Sequence, residues 1–266
     1  MLDHFSISNN NFSGPVLITG AGGCIGAWTM AMLLKANVDV IAFDLTSNKR
    51  RPELLIEDEK LKKVPWIEGN ISDTETVLSS IKKYSPESII HLAALQVPFC
   101  AADPTAGAKV NVVGTVNILE AAKQNSIKRI AHASSMAAHS FLPGSDSLKT
   151  LYGAYKMCDE QISEVYWQDH KVPSMCLRPA IVNGVGRDQG MTSKQTVAML
   201  AAALGEPYDI PYTGYVSHLS AAEVASAFIH SVSYEGDGSF VFDIFGESVN
   251  INETIKMINA IKPNAN

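Results

Sequence analysis

Tyr152 and Lys156 stand four residues apart in the segment LYGAYK. On a helix, residues i and i+4 lie one above the other on the same face. A lysine ammonium held beside a phenol favours the phenolate, so the tyrosine exchanges a proton well below its reference pKa of ~10. That is the acid/base tool needed to take a proton from a secondary alcohol, or to return one. Tyr155 is adjacent to Lys156 and points to another face. A lone Tyr-x-x-x-Lys pair is also what surface helix neighbours produce, so the rest of the chain decides its meaning.

A second group of residues lies near the start. TGAGGCIG places Gly20, Gly23 and Gly26 at G-x-x-G-x-x-G spacing, after the apolar run PVLITG. Glycines there let the backbone turn tightly and approach a pyrophosphate, whose charge rests on the following helix N-terminus. Asp44 ends the next apolar run, 18 residues past Gly26. A carboxylate at that place accepts hydrogen bonds from ribose hydroxyls and repels a 2′-phosphate, which favours NAD over NADP. Arg50 and Arg51 are near enough to weigh against that preference.

The elements that must position these groups alternate. Strands are expected at Val38–Asp44, Val64–Asn70, Ser88–Ala94, Arg129–Ser135 and Ser174–Ala180, with helices at Ile25–Lys35, Thr74–Lys83, Thr105–Gln124 and Tyr152–Asp169. Strand–helix alternation with near-continuous apolar strands argues for a parallel sheet covered on both faces. After residue 181 the pattern changes. A glycine-rich loop (Gly184, Gly186, Gly190) precedes helices at Ser193–Leu204, Ala221–Val232 and Ile251–Ile261 and a strand at Phe240–Gly246. The expected fold class is α/β: a Rossmann-type doubly wound parallel sheet with a small C-terminal substrate-binding region. Residues 1–13 are expected to be a flexible lead, 14–180 the NAD-binding domain with the catalytic residues, and 181–266 the substrate-binding region, interleaved with the main fold.

Composition narrows the class further. The chain has 266 residues, 46% hydrophobic and 18% charged, which suits a sizeable core. A net charge of −6 argues against nucleic acid as a partner. Cys24, Cys100, Cys158 and Cys176 are far apart, so neither a zinc site nor a disulfide framework is expected, and a reducing cytosol fits. No signal-peptide pattern opens the chain and no long apolar run marks a membrane span. The expected location is cytoplasmic.

Together these residues resemble the extended short-chain dehydrogenase/reductase family, also called the NAD-dependent epimerase/dehydratase family. The resemblance runs from about Val16 to Gly246. It rests on TGAGGCIG, Asp44, GNISD (Gly69–Asp73), HLAA (His91–Ala94), NVVGT (Asn111–Thr115), Ser134–Ser135, YGAYK and LRP (Leu177–Pro179). It implies Tyr152 as general acid/base, Lys156 as the group that lowers its pKa and holds the nicotinamide ribose, and Ser135 as the hydrogen-bond partner of the substrate oxygen. It further implies that Gly20, Gly23 and Gly26, with Cys24 and Ile25, cradle the pyrophosphate. Asn70 and Ile71 would border the adenine, and Ala93 and Ala94 would line the path to the nicotinamide. Gln96 stands where some relatives place a lysine on the cofactor. Asn111 would support its own helix near the site. Homodimerisation through the helices at 105–124 and 152–169 is likewise implied.

The departures from the family pattern are specific. Asn70 replaces an acid in the adenine loop, and its amide can still hydrogen-bond adenine. Met136 and Ala137 follow Ser135, and neither does elimination chemistry, so dehydratase activity is not expected. His139 and Ser140 replace a Tyr-Gly pair, and Asn183 replaces another tyrosine. Nucleotide-sugar members place an arginine in the stretch matching Tyr215–Leu219, where this chain has Tyr215, Ser217 and His218, and they usually run several dozen residues further. The candidate substrate contacts are Ser135, Asn183, Arg187 and His218. Cys100, His91 and His132 read as buried core residues. The leading reading is an NAD-dependent oxidoreductase that moves hydride at a secondary hydroxyl of a sugar, sugar acid or similar polyol. A nucleotide-sugar 4-epimerase with tightly held NAD is the alternative within the family. A cofactor-sensing binding protein without turnover is the alternative outside it.

Overall fold

A computed structural model describes residues 4–234 and 236–263. The first half runs β1 (Val16–Thr19), α1 (Cys24–Lys35), β2 (Val40–Asp44), α2 (Asp58–Leu61), β3 (Trp66–Glu68), α3 (Thr74–Tyr84), β4 (Ser88–His91), α4 (Val97–Ala102), α5 (Pro104–Ala108), a π-helical stretch (Lys109–Val113), α6 (Gly114–Gln124) and β5 (Arg129–Ala133). A 3₁₀ segment (Met136–Phe141) follows, then α7 (Leu151–His170), β6 (Ser174–Pro179), β7 (Val182–Asn183), α8 (Lys194–Leu204), β8 (Tyr215–Ser220), α9 (Ala221–Ser233), β9 (Ser239–Ile244), β10 (Glu247–Asn250) and α10 (Ile251–Ile261).

Seven strands form one sheet in the order β3-β2-β1-β4-β5-β6-β9, all parallel. Successive strand side chains point to opposite faces, and this splits the core into two layers. Val16, Ile18, Val40, Ala42 and Ile90 meet α1 and α9 on one face; Leu17, Ile41 and Ile89 meet α3, α6 and α7 on the other. α1 is buried along most of its length because it lies between the sheet and α9, with Trp28 and Phe228 among the fully enclosed side chains. A helix that is apolar all round belongs in such a place. The sheet is doubly wound, as the alternation predicts.

The stretch expected to be one helix over Thr105–Gln124 is helical but carries the π turn at Lys109–Val113. There the buried Asn111 accepts from Leu95 N–H (2.7 Å) and donates to Leu95 C=O (3.0 Å), so it fixes the segment after β4. Such turns inside helices often mark functional places. Within 181–263, β9 joins the main sheet beside β6 and α9 completes a helix layer, while β10, β8 and β7 form a separate three-stranded sheet. In the lead segment, Phe5, Ile7 and Phe12 pack against the core. Ser13 and Gly14 donate to Glu87, whose carboxylate also meets Arg129 (2.8 Å).

His91 and His132 sit opposite each other on β4 and β5, 2% and 1% exposed. Thr19 Oγ1 accepts from the amides of Leu92 and Ala93, so its own proton goes to His91 Nδ1 (2.6 Å). His91 Nε2 then donates to Thr115, which donates to the Asn111 carbonyl. Burial pushes both imidazoles down, His132 to about 3, with the nearby Lys156 charge acting in the same direction. Each stays neutral in the fold and takes a proton in the unfolded chain below the ordinary value of ~6.5. Stability from each is therefore fully present above that pH and lost as pH falls, by ~1.4 kcal/mol per pH unit. His132→Asn should remove one such contribution. Its urea-unfolding free energy should fall about 1.4 kcal/mol per pH unit less steeply than wild type below pH ~6. Parallel profiles would contradict neutral burial of His132.

Candidate active site

The chain order reverses between β1 and β4, and ligands of open α/β sheets bind outside the strand carboxyl ends at such a point. A cleft of about 930 Å³ opens there. Its floor is the turn from Gly20 to Gly26, which leads into α1 with Gly23 as N-cap. Gly20 has φ +70°, and a Cβ on it would lie 2.8 Å from Ala93 N. A Cβ on Gly26 would lie 2.3 Å from Gly20 O. Side chains at either position would break the turn or push β1 from β4. Cys24 and Ile25 line the same floor.

Asp44 stands at the end of β2 with Oδ2 accepting from Gly22 N–H (2.8 Å) and Oδ1 from Leu45 N–H (2.7 Å). Each carboxylate oxygen keeps a second lone pair for a ribose hydroxyl. Asn70, Ile71, Ala93, Ala94 and Gln96 line the cleft beyond it. Asn70 Oδ1 accepts from Ser72 N–H and Oγ–H (3.0 and 2.9 Å), leaving its amide nitrogen as a donor. A bare glycine floor, a helix N-terminus and an acid at the second strand end fit a dinucleotide.

α7 brings the reacting groups to the other end. Thr150 caps it by accepting from Gly153 N–H (3.0 Å). Tyr152 and Lys156 both line the cleft, with Lys156 Nζ 6.0 Å from the Tyr152 ring centroid. Tyr155 turns away and donates to Pro104 C=O (2.9 Å). A Cβ on Gly153 would lie 2.5 Å from Ala137 O, so α7 approaches the Met136–Phe141 segment as closely as backbone allows. Ser135 caps that segment, accepting from Ala137 N–H (3.1 Å), and lines the cleft. Ser134 points inward and donates to Glu160.

Glu160 is the clamp that seats α7. Arg178 on β6 grips it with two parallel bonds, Nε–Oε1 2.8 Å and Nη2–Oε2 2.5 Å. Arg178 also reaches Asp243 on β9 (3.4 Å), which holds His139 (2.9 Å). Its hydrogen bonds to Glu160 outweigh burial and hold the guanidinium above its ordinary range. One ion network thus ties α7, β6, β9 and the serine-bearing turn together.

Lys156 has a partner that the sequence reading did not single out. Asp159, one turn on, accepts from its ammonium at 3.2 Å, with side chains 3% and 0% exposed. Burial alone would push Lys156 down, but Asp159 and Tyr152 outweigh it and raise it. Burial raises Asp159 to about 6 despite the lysine. Among the described residues its Oδ1 has no hydrogen-bond partner, since the Thr115 hydroxyl beside it donates to Asn111 C=O (2.7 Å). An acid at i+3 from the lysine was the available signal; its complete burial was not visible locally.

Of the four candidate substrate residues, Ser135 and Arg187 reach the cleft. Asn183 is buried under α8, accepting from Thr196 Oγ1 (3.3 Å). His218 faces α10, 3.0 Å from Thr254 Oγ1. Strand alternation explains this: on β8, Ser217 faces the cleft and its neighbour turns away. Neither Asn183 nor His218 lies where a substrate contact was expected. Ser217 and Phe245 line the cleft instead.

This arrangement defines a Rossmann-type α/β protein whose glycine-floored cleft has the form of a dinucleotide site, with a Ser-Tyr-Lys set at one end. The model of the NAD dependent epimerase/dehydratase family matches residues 16–239, and the chain belongs to that family. A UDP-glucose 4-epimerase from Mycolicibacterium smegmatis is 30% identical over 181 residues, covering 65% of this chain and 57% of that protein. The chain spans about half the length of the curated relatives it matches. Among solved structures, a Thermotoga maritima UDP-glucose 4-epimerase with UDP-glucose is 22% identical, with TM-score 0.79 over 93% of this chain and 82% of that one. An L-threonine dehydrogenase from Clostridium difficile is 21% identical, with TM-score 0.80 over 95% and 82%. Both share the fold.

Asp159→Asn would leave a buried ammonium without its counter-charge, and its pKa would then fall. We expect the alkaline limb of the kcat profile to move down by about one pH unit or more. An unchanged limb would show that Asp159 does not govern Lys156.

Proposed function

We propose that this protein is an NAD-dependent oxidoreductase acting on a secondary hydroxyl of a sugar, sugar acid or similar polyol. One observation carries the reading: Ser135, Tyr152 and Lys156 line the same cleft as the glycine turn and Asp44. Tyr152 takes the hydroxyl proton as the carbinol carbon gives up hydride. Ser135 orients the substrate oxygen, and Lys156 stabilises the phenolate through its charge. NAD, when bound, supplies the hydride acceptor. Arg50 and Arg51 are both drawn to Asp188, the latter at 2.7 Å, so neither is uncommitted toward a 2′-phosphate beside Asp44. That supports NAD over NADP.

A second reading within the family has its own support. The relatives matched by sequence include UDP-glucose 4-epimerases. An epimerase returns hydride to the opposite face of the ketone and keeps its cofactor. A dehydrogenase releases both ketone and NADH. The catalytic groups are the same for either outcome.

Val113 and Val165 expose apolar surface on the π stretch and on α7 (40% and 50%), which supports pairing of two copies through the helices at 105–124 and 152–169. No helix among the described residues is long and apolar enough to cross a membrane. The four cysteines are unpaired, which supports a reducing, cytoplasmic location.

A panel of sugars, sugar acids and nucleotide sugars with NAD decides between the two readings, with NADH absorbance followed beside the mass of the native protein. Stoichiometric NADH with an exchangeable cofactor is the expected result. Isomer interconversion with co-purified NAD and no free NADH would establish the epimerase instead. Light scattering at micromolar concentration should give twice the chain mass, and a monomer would contradict the pairing.

A further inference from the structure

An ionic bridge joins two loops that line the cleft beside the start of α1. Asp188, on the loop after β7, accepts from Arg51 Nε (3.1 Å) and Nη2 (2.7 Å) through Oδ1 and from Arg50 through Oδ2. Both arginines lie on the loop after β2, downstream of Asp44. The remaining arm of Arg51, Nη1, donates to Gly22 C=O (3.0 Å), and Asp44 holds the N–H of the same glycine (2.8 Å). Gly22, Asn48, Arg51, Gly186 and Asp188 all line the cleft. The bridge therefore ties the glycine turn and the β2 loop to the C-terminal part of the chain, where a dinucleotide pyrophosphate rests on the helix N-terminus. Burial works against the Asp188 charge, but hydrogen bonds from both arginines outweigh it and hold the carboxyl below its usual range.

The two sides of the bridge are not equally fixed. On the β2 side, Arg50 N–H donates to Asn48 Oδ1 (3.0 Å), Glu53 N–H to Lys49 C=O (2.9 Å) and Trp66 Nε1 to Thr46 C=O (3.1 Å). On the other side, Trp28 Nε1 holds Val185 C=O (3.0 Å), which anchors only the start of the loop. Asp188 itself stands between Gly186 (φ +84°) and Gly190 (φ +97°), where a backbone without Cβ pivots most freely. Breaking the bridge thus frees the segment around Asp188 and leaves Arg51 on the glycine turn.

We propose that Asp188, Arg50 and Arg51 form a latch across the pyrophosphate part of the cleft, and that NAD enters and leaves only as this latch opens. This rests on the NAD part of the oxidoreductase reading and not on its substrate. A dehydrogenase exchanges its cofactor once per turnover, so latch opening then lies within its catalytic cycle. An epimerase that keeps its NAD has no such step.

The test measures NADH release from the full chain by stopped-flow fluorescence, with excess NAD as the displacing ligand. Wild type, Asp188→Asn, Arg50→Gln and the double variant are compared. Asp188→Asn should release NADH ~5-fold or more faster than wild type. Arg50→Gln should accelerate release less, because Arg51 still holds Asp188; Arg50 is 58% exposed, so this change leaves the core intact. The double variant should match Asp188→Asn, since both changes break the same bridge. Raising NaCl from about 50 to about 500 mM should speed release from wild type more than from Asp188→Asn, because salt screens exposed ion pairs. The latch is overturned if release from Asp188→Asn and Arg50→Gln stays at the wild-type rate, if the two changes simply add, or if salt acts equally on wild type and Asp188→Asn. It is also overturned if Asp188→Asn tightens NADH binding with release unchanged, which would make Asp188 a competitor of the cofactor for Arg51. NADH binding with unaltered release defeats the latch alone, whereas no NADH binding to wild type would defeat the cofactor reading together with the latch.

Discussion

Lys156 keeps an ammonium group out of water, and the site is arranged around the groups that make this tolerable. An unpaired charge at such depth costs several kcal/mol. Asp159 supplies the counter-charge, but it is itself fully enclosed and carries an orphan oxygen. The pair is thus a strained compromise between desolvation and attraction, and it persists only while α7 is held down. Arg178 and Glu160 do that holding from the next strand. Loosening α7 would admit water, which satisfies the ion pair and screens Lys156 from Tyr152.

The same constraint explains why distant segments converge. β9 comes from the C-terminal part of the chain, yet it lies against β6 and sends Asp243 to the Arg178 network. Gly153 lets α7 contact the turn that presents Ser135. The π stretch points Asn111 at Leu95 and so shapes the path between β4 and α4. Each of these is a packing decision made far from the reacting atoms in sequence and close to them in space.

Much of this was legible in the chain. The glycine turn, Asp44 and the Tyr152–Lys156 pair are local patterns, and short-range geometry is enough to place them. Most helices and strands lie within one or two residues of their expected bounds because the sheet is apolar on both faces and several helices, α3, α7, α9 and α10 among them, start at a side-chain cap. The unread features depend on long-range contact. Nothing near Asp159 announces that it is buried, and nothing near Glu160 names Arg178. His218 and Ser217 are neighbours, and only the pairing of β8 decides which one meets the cleft. Short elements such as β7 and β10 have too few residues to show a period.

The central claim is that Tyr152 takes a proton from a carbinol whose hydride goes to the nicotinamide. It is tested most directly with a substrate deuterated at the reacting carbon, followed by mass spectrometry of the cofactor after a single turnover. The account predicts deuterium on the nicotinamide ring with wild type and none with Tyr152→Phe, while that variant still binds NAD. Undiminished deuterium transfer by Tyr152→Phe would contradict it.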